Sequence, residues 1–213
     1  MVDVPYLPAN LPRAEDDSAK DPERRALVMK AGLEAFSTKG FHLTSMEDIA
    51  CRAGVSKPIL YQHFPSKHDL YLGILDERVD VLVHQIRTEI DRAEGNKNRL
   101  KAAIACYFSL ADDADKGYRL IFESDFTMNS DVRARVEDLV SQLSRIVGVE
   151  VAQQTGMSMG QANIVAGGLC GMAQASAWRW LRLGRPIPIE QAVEQIFELA
   201  WTGLSAIEKN ETT

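Results

Sequence analysis

From Leu70 to Ile90 the apolar residues Leu70, Ile74, Leu75, Val79, Leu82, Val83, Ile86 and Ile90 recur three and four positions apart. That spacing puts them on one stripe of an α-helix but on both faces of a strand, so only a helix buries them together. Ser66, with Asp69 three residues on, supplies a capped start for this run. The same combination of start signal, helical stripe and stop signal recurs along the whole chain.

Asp21-Pro22-Glu23 opens a first helix: an N-cap acceptor, proline at the first helical position, then an acid at the positive end of the dipole. Val28, Met29, Gly32, Leu33 and Phe36 form its apolar face, and Lys39-Gly40 ends it. Thr44-Ser45-Met46-Glu47 reads as a capping box with Thr44 at the N-cap and Glu47 reaching back. The helix it opens is short and stops at Ala53-Gly54. Ser56 caps a third helix, where Pro58 is tolerated because first-turn N–H groups lack intrahelical partners. That helix ends near His63-Phe64, because Pro65 disfavours α conformation before it.

Further helices are expected over Arg99–Ala111, Gly117–Phe126 and Ser130 to about Gln154. Ser158 with Gln161 opens another, ending at Leu183-Gly184, and Pro188 starts the last, ending near Ile207. The expectation is an all-α chain of nine helices with no convincing strand. Residues 1–20 carry Pro5, Pro8, Pro12 and an acidic cluster without either period, and read as a disordered arm.

Val151 to Trp178 contains no charged residue. It is interrupted at Thr155-Gly156-Met157-Ser158 and carries Gln153, Gln154, Gln161, Asn163 and Gln174, which a spanning helix of about 20 apolar residues would not. We read it as a buried helix or a subunit interface, with no membrane partner. No basic start with a following apolar run marks a secretory signal. Cys51, Cys106 and Cys170 are odd in number and far apart, matching neither a disulfide framework nor a C-x-x-C zinc site. A reducing, cytoplasmic setting with core or near-core cysteines is the expectation.

The net charge of −6 is unevenly placed. Residues 22–75 hold Arg24, Arg25, Lys30, Lys39, Arg52, Lys57 and Lys67 against Glu23, Glu34, Glu47, Asp48 and Asp69, an excess of two cations. In that basic module, two short helices meet at Ala53-Gly54-Val55-Ser56, the spacing of a helix-turn-helix. Gly54 permits the turn and Val55 plugs the space between helices. The second helix is short enough to enter a major groove end-on. Lys57 is cationic, Tyr61 can reach a phosphate or a thymine methyl, and Gln62 can pair with adenine. An ordinary helical hairpin would use the same spacing.

The runs Val28–Phe36, Lys39-Gly40-Phe41, Thr44 to Ala50, Ala53-Gly54-Val55-Ser56 and Leu60-Tyr61-Gln62-His63-Phe64-Pro65-Ser66-Lys67 together resemble the TetR family of bacterial transcription regulators. The resemblance implies a nine-helix, dimeric, ligand-responsive DNA-binding protein. It implies an N-terminal domain over residues 21–66 and an effector-binding and dimerisation domain over residues 67–208. By position it puts Lys57, Pro58, Tyr61, Gln62 and His63 on the recognition-helix contacts, Lys67 on a phosphate, and Thr44 and Ser45 on helix-start phosphates. Glu47 falls where some members carry a base-reading arginine. An acid cannot bind phosphate, so Glu47 is left out of the contact set. The DNA partner implied is an inverted repeat bound by a homodimer.

Gly117-Tyr118-Arg119-Leu120-Ile121-Phe122-Glu123-Ser124-Asp125-Phe126 and Ala200-Trp201-Thr202-Gly203-Leu204-Ser205 are similar to the actinobacterial fatty-acid-synthesis regulators of that family. This implies control of fatty-acid biosynthesis genes with long-chain acyl-CoA as effector and no cofactor. The alternative is a repressor of an efflux or catabolic operon that responds to another apolar molecule. Gly167, Gly168 and Gly171 lie in a helix, where glycine costs about 1 kcal/mol against alanine. They either permit close helix approach or leave room for a ligand. Phe108, Phe122, Phe126, Met172 and Trp178, with Trp180, either wall a pocket or pack in the core. Arg119 and Arg179 are the cations expected for the CoA phosphates.

No Ser-His-Asp, Cys-His or paired-carboxylate constellation is legible, so no enzyme activity is expected. His63 and His68, five apart across a turn, make a poor metal pair. A helical enzyme and a purely structural module remain the competing classes, and a module of that kind would not need Lys57, Tyr61 and Gln62 exposed.

Overall fold

A computed structural model of the chain describes residues 22–112, 117–122, 126 and 129–208. The expected arm over residues 1–20 lies outside them. Among the described residues there are nine helices and no strand. They are α1 (Pro22–Leu43), α2 (Met46–Ala53), α3 (Lys57–His63), α4 (Lys67–Arg92), α5 (Gly95–Asp112), α6 (Gly117–Phe122), α7 (Ser130–Thr155), α8 (Met159–Arg182) and α9 (Ile189–Glu208).

The first three helices pack around Val28, Phe36, Ile49, Leu60 and Phe64, all buried. At Gly40 the backbone leaves the helical region (φ 81°, ψ 169°), so the last residues of α1 form a separate turn. The N-cap of α2 is Ser45, not Thr44: the Ser45 hydroxyl accepts from the Asp48 N–H at 3.1 Å. Thr44 is buried and donates to the carbonyls of Gly40 (2.7 Å) and Ala35 (3.3 Å), which corrects the capping-box expectation. Gly54 takes the left-handed conformation that the turn into α3 requires (φ 69°).

Helix α4 begins at the N-cap Ser66. Its Leu70, Tyr71 and Ile74 pack on α1, and its Leu82, Ile86 and Ile90 pack into the body. One helix therefore runs from beneath α1 into the body within a single continuous core, and it starts immediately after the helix-turn-helix. Gly32 allows the α1–α4 approach: a Cβ there would lie 2.7 Å from Ile74 Cδ1. Tyr71, fully buried, donates to the Leu120 carbonyl at 3.0 Å and ties α4 to α6.

Helices α5, α7, α8 and α9 complete the body. Helix α5 starts at Gly95, earlier than expected, because its first turn is polar and shows no apolar stripe. Helix α6 ends at Phe122, and Phe126 lies in a turn. The capping box Ser158/Gln161 opens α8 as expected. The α7–α8 pair closes over Gly148, where an added Cβ would collide with the Asn163 side chain. The close approach thus belongs to Gly148 on α7, not to the glycine run on α8. No described helix is long and apolar enough to cross a membrane.

Candidate functional site

The helix-turn-helix presents α3 at the surface. Lys57, Pro58, Tyr61 and Gln62 are exposed, while Leu60 on the opposite side is fully buried. One face of a two-turn helix is thereby anchored, and the other carries one cation, one phenol and one amide for base edges. His63 differs: it is half buried, and its Nε2 is buried with no hydrogen-bond partner. Ser56 makes no side-chain cap, so α3 is held chiefly by Leu60 and by Phe64.

Lys57 donates to Glu47 Oε1 at 2.8 Å, and Lys39 donates to Asp48 Oδ2 at 3.3 Å. The Glu47 carboxyl is held below its ordinary range, first by the hydrogen bond from Lys57. The Asp48 carboxyl is lowered chiefly by the hydrogen bond from Lys39. Both acids stay ionised, and the first turn of α2 adds its dipole.

Lys67 is placed differently from a free phosphate contact. Its ammonium donates to the carbonyls of Phe41 and Thr44, each at 2.8 Å, and lies 4.4 Å from the Phe41 ring centroid. An ammonium has three donors, so one remains beyond these two acceptors. Thr44 offers no hydroxyl to DNA, since it is buried against α1. Ser45 is half buried; its oxygen accepts in the α2 cap, and its hydroxyl also hydrogen-bonds the Asp48 carboxylate.

The expected effector wall does not assemble. Phe108 is buried, but its ring packs on Trp180 with centroids 5.9 Å apart. Phe126 stacks on Phe41, ring centroids 3.6 Å apart, at the base of the helix-turn-helix. Phe122 and Met172 are partly buried against the core. Trp178 is 38 % exposed, with Arg182 over its ring at 5.8 Å. Gly168 and Gly171 face outward, with nothing within 4 Å of an added Cβ, and Gly167 would meet only Ser144 Oγ at 3.6 Å. The Arg119 side chain lies outside the described residues, and Arg179 is exposed.

An apolar gap does exist elsewhere, between α4, α5, α7 and α8. Its walls include Ile86, Ala103, Tyr107, Leu143, Leu169 and Ala173. A neighbouring gap shares Leu100, Ala103 and Val147 with it and reaches Trp201 and Leu204 of α9. Each holds about 10 Å³ of free space, room for one water. Together they form a narrow, largely apolar seam. At its outer end Arg99 pairs with Glu150 at 3.0 Å, and Asn96 donates to Gln154 at 2.8 Å. Cys170 borders the seam, and burial pushes its thiol up to about 11. The Cys106 thiol is pushed up to about 12, again chiefly by burial. Cys51, expected near the core, is exposed on α2.

Of the runs singled out in the sequence, Ala200–Ser205 reaches this seam, through Trp201 and Leu204. Most of its other walls are Ala, Leu, Ile and Val at ordinary helical spacing, so only the packing of the helices shows that they leave a gap. The aromatic residues expected to wall the pocket fill other places.

A buried three-helix module that offers the exposed face of a short second helix, joined through one long helix to a separate helical body, defines a helix-turn-helix DNA-binding protein. The profile described as "Bacterial regulatory proteins, tetR family" matches residues 28–74. The chain is 39 % identical over 185 residues to the HTH-type transcriptional activator FasR of Mycolicibacterium smegmatis, covering 87 % of this chain and 84 % of that protein. The chain belongs to the TetR family of bacterial transcription regulators. Its fold also matches FadR of Bacillus subtilis, solved in complex with stearoyl-CoA, with TM-score 0.68, 18 % identity and coverage of 82 % of this chain and 96 % of that one. It matches AibR, solved with isovaleryl coenzyme A and operator DNA, with TM-score 0.68, 17 % identity and coverage of 83 % and 97 %.

Proposed function

We propose that this TetR-family protein controls fatty-acid biosynthesis genes and that long-chain acyl-CoA releases it from its operator. The observation that carries this reading is the narrow apolar seam, which includes a wall of α4, in a chain 39 % identical to FasR. Burying an alkyl chain is worth about 0.8 kcal/mol per CH₂, so about 14 methylenes supply on the order of 11 kcal/mol. Ligand sites of this kind run to about 300–1,000 Å³, far more than the 10 Å³ present in each gap. The chain must therefore part α4, α5, α7 and α8. A ligand that fits only the parted form shifts the population toward it. Because α4 also carries Leu70, Tyr71 and Ile74 under α1, parting it re-aims the helix-turn-helix. FadR and AibR, solved with acyl-CoA ligands, share the fold and support the choice of effector class.

The protein acts as a homodimer and a cytoplasmic binder, not a catalyst. Ile164, Gly168, Gly171, Ala175 and Trp178 form an exposed, uncharged stripe on α8, beside exposed Leu199 and Gly203 on α9. Such a face suits a second copy of itself across a large apolar interface. Residues Ser45, Lys57, Pro58, Tyr61, Gln62 and the remaining Lys67 donor contact the DNA. Selection from a random duplex pool tests the operator part. The enriched duplexes should be inverted repeats with half-sites about 34–36 Å apart or multiples of that. Enrichment of single, unpaired half-sites would refute the two-fold arrangement.

A further inference from the structure

The sequence pattern leaves Glu47 without a role, since an acid repels phosphate. The structure puts its carboxylate 2.8 Å from the Lys57 ammonium, the first residue of the recognition helix. Both side chains are more than half exposed, 57 % for Lys57 and 53 % for Glu47. A pair so exposed adds little to fold stability. Its position matters more than its strength. It joins the first turn of α2 to the first residue of α3, and a second pair, Lys39–Asp48, involves the next residue of α2. Two cations of the module are thus already paired with carboxylates.

We propose that Glu47 is a specificity determinant: by holding the Lys57 ammonium, it keeps that cation off backbone phosphates and suppresses sequence-independent binding. The inference rests on the DNA-binding reading of the family. A phosphate that takes Lys57 must displace the carboxylate or approach a like charge, and both are unfavourable. A guanine edge makes no such demand. Its N7 and O6 are neutral acceptors, so Lys57 can donate to them and to Glu47 together, because an ammonium has three donors. The pair therefore distinguishes a base edge from a phosphate, which an unpaired lysine does not. Glu47 acts through Lys57 and is a positioning residue. The lowered carboxyl pKa, caused first by Lys57, agrees with an acid that stays charged.

The test compares the duplex selected by the wild-type protein with a scrambled duplex of equal composition, over a range of salt. With Glu47→Gln, one further phosphate contact should form on scrambled DNA. Its affinity should rise about fivefold at 0.15 M salt, and the slope of log K against log salt should steepen by about 0.9. Affinity for the selected duplex should change less than twofold, so the specificity ratio falls. Adding Lys57→Met to that variant should return scrambled-DNA binding to the wild-type level. Glu47→Ala, which removes the carboxylate altogether, should show the same gain and guards against misfolding of the first variant. An unchanged ratio and slope in both variants overturns the proposal, as does a gain that persists without Lys57. If the wild-type protein enriches no duplex at all, the DNA reading falls with it.

Discussion

Lys67 separates two accounts of one residue. By position in the family it contacts phosphate, yet its ammonium fastens the end of α1 to the start of α4 through the carbonyls of Phe41 and Thr44. Hydrogen bonds to a charged donor are worth about 1.5–3 kcal/mol each. The Lys67 side chain is half buried, and water replaces part of what is lost, so Lys67→Met should cost about 2 kcal/mol rather than the full sum. For a chain of this length that is a drop of about 4–8 °C in Tm. The remaining donor should also leave its phosphate, reducing the salt slope on DNA by about one unit. Thermal unfolding and a salt titration on the same preparation read both effects. A Tm within a degree of wild type, with the slope reduced, would refute the structural clamp. A lowered Tm with an unchanged slope would refute the phosphate contact.

Three further outcomes follow from the packing. At pH 8 a thiol reagent should modify Cys51 quickly and leave Cys106 and Cys170 protected until unfolding, because burial raises both thiols well above that pH; three equally fast thiols would contradict it. Gly171→Arg should convert the dimer to monomer by light scattering at micromolar concentration while leaving the helical content unchanged, since nothing lies within 4 Å of that site inside the protomer. Ala173→Leu overfills a wall of the seam at about 1–3 kcal/mol and should abolish the response to acyl-CoA with operator binding retained; an intact response would place the effector elsewhere.

The helices were legible because their signals are local. Ser66, Ser158 and the glycines at 40 and 54 act within one turn, so a few residues suffice to place each end. The N-cap of α2 slipped by one residue because Thr44 and Ser45 each have an acid three positions on. The choice between them is tertiary: the Thr44 hydroxyl is buried beneath α1, where the Gly40 and Ala35 carbonyls take it. The exposed side of α3 was legible too, since its apolar Ile59 and Leu60 are adjacent and leave Lys57, Tyr61 and Gln62 to the other side. The effector region was not. Helix α8 carries no charge before Arg179, so no charged face reveals which glycines point outward. Phe126 meets Phe41 across a long stretch of chain, which no local period encodes.

Filling the seam and holding the operator should exclude one another. That exclusion is tested by fluorescence anisotropy of the selected duplex during titration with acyl-CoA of increasing chain length, with free coenzyme A as control. Long-chain acyl-CoA at tens of micromolar should release the duplex. Each added CH₂ should strengthen release until the seam is full, up to about fourfold per methylene from about 0.8 kcal/mol. Free coenzyme A should do nothing. Normal duplex binding that no chain length disturbs would contradict the account, and only the family assignment would stand.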